Sequence, residues 1–429
     1  MNAFTSWRAR KQAELDLLAE LLDERPPIAS DSASIVEAKS VLRARLVARA
    51  IAGAPSLGES RLDGQRTPAA GGALAYFYQR HDLRLARHDF HTLVHPALAG
   101  DFLALGWLAG SGMAALTSLY VAIDRGLAEQ RALLLPADAY FETHQVARRE
   151  LRHLLADWDL ARAPLDGSVL HLDSIARRPP LAALAKRDLS GLALAVCDTT
   201  CWPRESSFVK EVVDRVVIDA RVPLVLVRSH LKLDQLGTEH ARLGSVVLLL
   251  PKRPTREQVA IARGVRRRAL DFLALTGGGF SPHALWPAAF DSSSPRFDDF
   301  ERLNRARNQI LVDNHRRAVE KLSALLDGPM VKVLDYHHGC FFVLQPLIDT
   351  EHVCRRYARE LVARLCAAGL DAREAPSFAY DFFAITRVGG FAGGAPTSAL
   401  RLALPDCDQA TLDTFVAVTS EWAADLSPV

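Results

Sequence analysis

The sequence predicts an α/β protein, with a mostly parallel sheet carrying helices on both faces and a smaller α+β domain toward the C-terminal end. Three observations predict it. Between residues 100 and 250, short apolar runs alternate with amphipathic stretches, the pattern of βαβ units. Past Pro251 the apolar positions recur every three or four residues, as in helices. From residue 330 two strand-like runs, a helix, a further strand and a last helix follow. A chain of 429 residues is long enough for two or three domains at roughly 100–200 residues each. We expect an N-terminal helical segment and linker at 1–72, a large domain at 73–310 and a small domain at 311–429.

In the first segment, LDLLAELL and IVEAKSVLRARLVARAI have helical spacing, and the Gly/Pro/Ser-rich stretch 52–72 reads as a linker. Residues 102–123 carry no charge and match the length of a membrane span, about 20 residues. Gly110, Ser111 and Gly112 interrupt them, so they read as a buried strand or helix, a turn and a buried helix. Strand candidates follow at 131–137, 168–174, 192–198, 222–229 and 244–250, with QVARRELRHLLADW and FVKEVVDRVV as helices between them. VAIARGVRRRALDFLAL and FERLNRARNQILVDNHRRAVEKLSALL continue as helices. In the C-terminal part, VKVLDYHHGCFFVLQPL reads as two strands, HVCRRYARELVARLCAAGL as a helix and LRLALPD as a strand.

Composition narrows the function. With 49% hydrophobic and 24% charged residues the chain is not disordered. Its formal net charge of +2 gives no reason to expect nucleic acid or an anionic membrane as partner, and leaves a small molecule or a protein. Six cysteines in this length are too sparse for a disulfide framework, so reduced, mostly buried thiols are expected. The N-terminus lacks the unbroken apolar region of a signal peptide, which makes the cytoplasm the default expectation.

Single motifs are weak here, and their order carries the reading. Lys232 follows the apolar strand VPLVLVRS within Ser229-His230-Leu231-Lys232, at a strand end where α/β sheets place ligands. Partial desolvation there favours a neutral amine able to form a Schiff base, although alone the position also suits a surface lysine. Asp198 closes the strand LALAVCD, 34 residues earlier, where it can hold a pyridinium proton or cap a helix. Ser111, Gly112 and Met113 open an apolar helix whose N–H groups suit a phosphate. Tyr140 follows the strand RALLLPA and can stack on a planar ring. Arg242, ten residues past Lys232, can reach a phosphate, and Arg401 in LRLALP presents a fork for a carboxylate.

In this order the motifs resemble those of the fold type I pyridoxal-phosphate enzymes, the aspartate aminotransferase fold. Within them the chain is most similar to the Cys/Met-metabolism branch of cystathionine γ-synthase and methionine γ-lyase. Tyr76-Phe-Tyr78-Gln-Arg80 resembles that branch's Tyr-x-Tyr-Ser-Arg, and Ser111-Gly-Met-Ala-Ala its Ser-Gly-Met-Ala-Ala. Tyr140-Phe-Glu-Thr143 resembles Tyr-Gly-Gly-Thr, Cys197-Asp198-Thr-Thr resembles Val-Asp-Asn-Thr, and Ser229-His-Leu-Lys232 resembles Ser-Ala-Thr-Lys. Arg401-Leu-Ala-Leu resembles the strand Arg-Leu-Ser-Val-Gly. The resemblance spans residues 73–429.

It implies pyridoxal 5′-phosphate bound through Lys232, with Asp198, Ser111, Gly112, Met113, Tyr140, Ser229 and Arg242 around the cofactor. It also implies Tyr78 and Arg80 donated to a neighbouring subunit's phosphate, hence a homodimer, and Arg401 on the substrate carboxylate. The expected substrate is an amino acid held as an external aldimine, with Lys232 and Tyr140 catalytic and the outcome β- or γ-elimination or replacement. Departures leave alternatives open. Phe141 and Glu142 replace the two glycines, Leu231 replaces a threonine, and Arg242 looks like an aminotransferase arginine. An aminotransferase is the second reading, and a pyridoxal-fold protein that has lost catalysis the third. Thr276-Gly-Gly-Gly279, the Gly389–Gly394 loop and His337-His338 lack the context of a dinucleotide or metal site, and no metal is expected.

Overall fold

The structure is a computed structural model that describes residues 6–28, 30–52, 74–76, 83–85, 95, 98, 102–124, 132–151, 155–157, 162–240, 242–276, 296–326, 330–390 and 397–426. These divide into two compact units. The large unit comprises 46–234 and 239–298, and the C-terminal unit comprises 1–45, 235–238 and 299–429. The division departs from the expected one at both ends. The first helix and the second as far as Arg45 fold with the C-terminal unit, and the long helix around residue 310 belongs to that unit from Asp299 onward. Buried charge explains the first difference, as described below.

The chain opens with α1 (Trp7–Glu20) and α2 (Ser32–Ala52), then a short antiparallel pair, β1 (Leu74–Tyr76) and β2 (Leu83–Leu85). The large unit continues through β3 (Phe102–Ala109), α3 (Gly112–Asp124), β4 (Leu133–Leu135), α4 (Phe141–Glu150), β5 (Leu155–Asp157), β6 (Val169–Asp173) and β7 (Leu194–Asp198). It ends with α5 (Ser207–Val213), β8 (Leu224–Ser229), β9 (Gly244–Pro251) and α6 (Arg256–Thr276). A seven-stranded sheet forms in the order β3-β9-β8-β7-β6-β4-β5, in which only β9 runs against the rest. The central strands are buried along their length, as parallel strands covered on both faces must be. Leu116, Leu119 and Ile123 of α3 and Val265 and Leu273 of α6 pack with Val196, Val225 and Leu248 in one core. One expected helix stops early: QVARRELRHLLADW is helical only to Glu150, and Leu155–Asp157 forms the edge strand β5.

The C-terminal unit adds α7 (Phe297–Leu325), β10 (Val331–Leu334), β11 (Phe342–Pro346), α8 (Glu351–Ala367), β12 (Ala372–Glu374), β13 (Phe383–Gly390), β14 (Thr397–Ala403) and α9 (Gln409–Ala424). Its five-stranded sheet runs β10-β11-β14-β13-β12, antiparallel except between β12 and β13. Thr350 and Asp408 cap α8 and α9 by accepting from the N–H of Val353 and Thr411. Phe342, Leu361, Leu400, Phe415 and Trp422 fill the space between this sheet and its helices.

Within that unit, α1 and α2 carry charges inward. Lys11 Nζ lies 2.6 Å from carboxylate oxygens of both Asp381 and Asp406, and Lys39 Nζ lies 2.5 Å from Glu14 and 2.8 Å from Asp381. Arg10 pairs with Glu14 and Asp406, and Arg307 with Asp381 at 3.5 Å. All seven side chains are at most 6% exposed, so three buried carboxylates are each met by cations, with one cation in excess and burial lowering Lys39. Removing the N-terminal segment would leave Asp381 and Asp406 with Arg307 alone. Glu14, Asp381 and Asp406 come close enough together to share an ion, but those cations already meet their charge.

Candidate active site

Strand ends gather most of the sequence-predicted residues at one place in the large unit. Asp173 and Asp198 are register partners at the C-terminal ends of β6 and β7, and Asp198 pairs in turn with Val227 of β8. Thr200 Oγ1 accepts from the N–H of Ser229 at 3.0 Å, which ties the end of β8 to the turn after β7. The N–H of Tyr140 donates to Asp173 at 2.9 Å and brings the start of α4 to the same edge.

The start of α3 is pressed onto this edge. Ser111 Oγ accepts from the N–H of Ala114 at 3.0 Å and caps the helix. A Cβ on Gly112 would lie 2.6 Å from Ser229 Cβ, and one on Gly244 would lie 2.1 Å from the Ser111 carbonyl oxygen. Only glycine permits this approach at either position. Met113 packs its side chain on the core and leaves its backbone N–H at the helix start.

Electrostatics single out Asp198. Its carboxyl is pushed up to about 6, first by burial and then by the facing Asp173 carboxylate, against a hydrogen bond from the N–H of Thr200. No lysine or arginine forms an ion pair with it among the described residues. The expected helix cap is a local turn instead, since α5 begins only at Ser207. Beneath lie groups that the sequence reading passed over. Tyr120 Oη is 2.9 Å from His171 Nδ1, and His171 Nε2 is 3.6 Å from Asp173. The signal for Asp173 was present: it ends SVLHLDS as Asp198 ends LALAVCD.

Lys232 stands in the turn after β8, its side chain 24% exposed and its Nζ 3.4 Å from Glu239. Tyr140 meets Phe141 edge-on at 4.8 Å between ring centres, and Phe141 is 45% exposed where the resembling motif has glycine. Arg242 is exposed. In the C-terminal unit, Arg401 on β14 is 8% exposed, donates to the Ser377 carbonyl at 3.3 Å and lies over the Phe341 ring. Tyr78 and Arg80 lie outside the described residues, as does most of each glycine-rich loop. All six cysteines are free, and five are buried. Among the described residues no helix is long and apolar enough to cross a membrane.

A second constellation invites a different chemistry. His230 lies between Asp234 (Nδ1 to Oδ2, 2.7 Å) and Ser245 (Nε2 to Oγ, 2.8 Å), the hydrogen-bond order of an acyl-transfer triad. All three residues are at most 1% exposed, so no substrate carbonyl reaches the serine.

No protein-family model and no curated protein sequence matches the chain. Solved structures do. One described as an O-acetylhomoserine (thiol)-lyase from Campylobacter jejuni, with N′-pyridoxyl-lysine-5′-monophosphate at one position, aligns with a TM-score of 0.51 at 14% identity over 89% of this chain and 99% of its own. A cystathionine γ-lyase from Micromonospora echinospora aligns at 0.48 and 15% identity, over 88% and 99% of the two chains. An L-threonine-O-3-phosphate decarboxylase from Porphyromonas gingivalis aligns at 0.43 and 14%, over 79% and 89%. The first likeness shows the fold: this chain has the architecture of the fold type I pyridoxal-phosphate enzymes.

Proposed function

We propose that the protein is a pyridoxal 5′-phosphate-dependent enzyme acting on an amino acid by β- or γ-elimination or replacement. One observation supports it above the rest: the strand-end carboxylate of Asp198 is desolvated beside a second carboxylate and has no paired lysine or arginine among the described residues. A protonated pyridine nitrogen is the group such a site accepts. The remaining residues fit the cofactor too, with a lysine past the next strand and a glycine-opened helix start facing Ser229.

In this reading Lys232 binds the cofactor through Nζ after leaving Glu239. Ser229 and the N–H groups of Ser111, Gly112 and Met113 face its phosphate, with Arg242 beside them. Asp198 would keep a proton at the pyridine nitrogen, and Tyr140, with Phe141 beside it, would be the aromatic side chain next to the ring. The cofactor, when bound, supplies an electron sink for the pair left on the α-carbon. Lys232, released as an amine, takes the α-proton as general base. Arg401 holds the substrate carboxylate, and Tyr78 and Arg80 serve the partner subunit's phosphate, so the functional unit is a homodimer.

The test uses protein loaded with pyridoxal phosphate and a panel of amino acids with or without a leaving group on the β- or γ-carbon. Release of that group together with a 2-oxo acid is the expected result. Conversion of the cofactor to its amine form without any released group would overturn elimination and favour an aminotransferase.

A further inference from the structure

The turn that carries Lys232 is closed at its base by side chains that no step above uses. Arg228, the penultimate residue of β8, grips Asp234 through Nε at 2.7 Å and Nη2 at 2.8 Å. Its Nη1 donates to the carbonyls of Thr199 and Trp202 at 2.6 and 2.7 Å, which fixes the pair to the segment after β7. His230 bonds Asp234 on one side and Ser245 of β9 on the other, while its N–H donates to the Leu243 carbonyl at 3.0 Å. Burial would raise the Asp234 carboxyl, but Arg228 and His230 hold it well below its ordinary range. Burial lowers His230 to about 4, so the ring is neutral at pH 7 and relays a hydrogen bond from one partner to the other.

The geometry points to Arg228, His230, Asp234 and Ser245 as a buried stitch that positions Lys232. His230 and Asp234 stand two residues on either side of the lysine, and the 2.7 Å bond between them joins the two feet of the turn. Leu233 is buried with them, while Leu231 and Lys232 at the apex are partly exposed. A lysine side chain has four rotatable bonds, so the reach of its amine is set by how firmly its backbone is held. Here three neighbouring strand ends hold that backbone. These four are positioning residues; none of them touches the reacting atoms. The inference rests on the reading of Lys232 as the functional lysine.

Its test needs no cofactor. In the cofactor-free protein, Lys232 and the exposed Lys186 are acylated together by a small excess of acetic anhydride, and the ratio of their labelling is read by peptide mass spectrometry. His230→Leu opens the stitch and is expected to change that ratio about threefold or more, the scale of losing one buried hydrogen bond. His230→Asn, whose amide can still donate to Asp234, is expected to restore it. Ser245→Ala keeps the His230–Asp234 bond and is expected to shift the ratio in the same direction by less, which also serves if the leucine variant does not fold. An unchanged ratio in folded His230→Leu, or in Ser245→Ala should the former not fold, would overturn the inference. Because the labelling reads the free amine, a failure of pyridoxal phosphate to bind Lys232 would show separately, as wild-type protein with an intact labelling ratio and no cofactor band.

Discussion

Each unit of this molecule places carboxylates next to one another with little access to water, Asp198 being partly exposed, and the two do so in opposite ways. In the C-terminal unit Glu14, Asp381 and Asp406 meet Arg10, Lys11, Lys39 and Arg307. Burial would raise Asp381 and Asp406, yet the surrounding cations hold Asp381 well below the carboxylate range and lower Asp406 as well. In the large unit Asp198 faces Asp173 with no ion-paired lysine or arginine among the described residues, and its carboxyl rises to about 6. The first arrangement is finished within the chain. The second has no lysine or arginine paired with it among the described residues, and that contrast is what makes it the candidate site.

Breaking the ion-paired cluster has the larger effect. Asp406→Asn removes one of three carboxylates and leaves buried cations uncompensated. It is expected to destabilise the C-terminal unit by roughly 3–5 kcal/mol at neutral pH, read as a drop in the denaturant midpoint. An unchanged midpoint would mean the cluster contributes no net stability.

Relieving the unbalanced pair has a smaller effect of opposite sign. A carboxyl raised from its ordinary 3.8 to about 6 disfavours its own ionised form in the folded state by about 3 kcal/mol. Because the folded pKa is the higher one, that stability is present below the ordinary value and lost as pH rises from there through 6. Asp198→Asn is therefore expected to stabilise the cofactor-free protein at pH 8 by up to about 3 kcal/mol, and to give no such gain near pH 3. The same change is expected to weaken retention of pyridoxal phosphate. A variant less stable than wild type at pH 8 would show that Asp198 is a structural residue. The ion-paired cluster has the reverse pH sense: Asp381 and Asp406 have depressed folded values, so their contribution is present above the ordinary carboxylate range and is lost as pH falls through those values.

The sheet, and the strand ends on which the candidate site is read, were legible in the sequence for one physical reason. Strands covered on both faces are unbroken apolar runs, and a charged residue at the end of such a run marks a sheet edge. LALAVCD with Asp198 and VPLVLVRS with Lys232 beyond it follow that rule. What escaped reading depends on contacts across the chain. Arg10, Lys11 and Glu14 have the spacing of a solvated helix face, and nothing local announces partners as distant as Asp381 and Asp406. Asn304, Arg307 and Asn314 likewise sit on the buried stripe of α7, where an apolar pattern alone would not place them. The strands β12 and β13 went unread because ARE is short and FAITRVGG ends in glycines. Nothing in the sequence around His230 and Asp234 announces that Arg228 and Ser245 are buried with them.

Whether Lys232 binds a pyridine cofactor whose nitrogen Asp198 protonates is tested directly by one measurement. Purified protein is incubated with pyridoxal 5′-phosphate, reduced with borohydride and digested, and the peptides are searched for a pyridoxyl-lysine. The expected result is one stoichiometric adduct at Lys232, accompanied by loss of the visible absorbance band and absent from Lys232→Ala. A protein that takes up no cofactor, or an adduct at another lysine that survives in Lys232→Ala, would contradict the account.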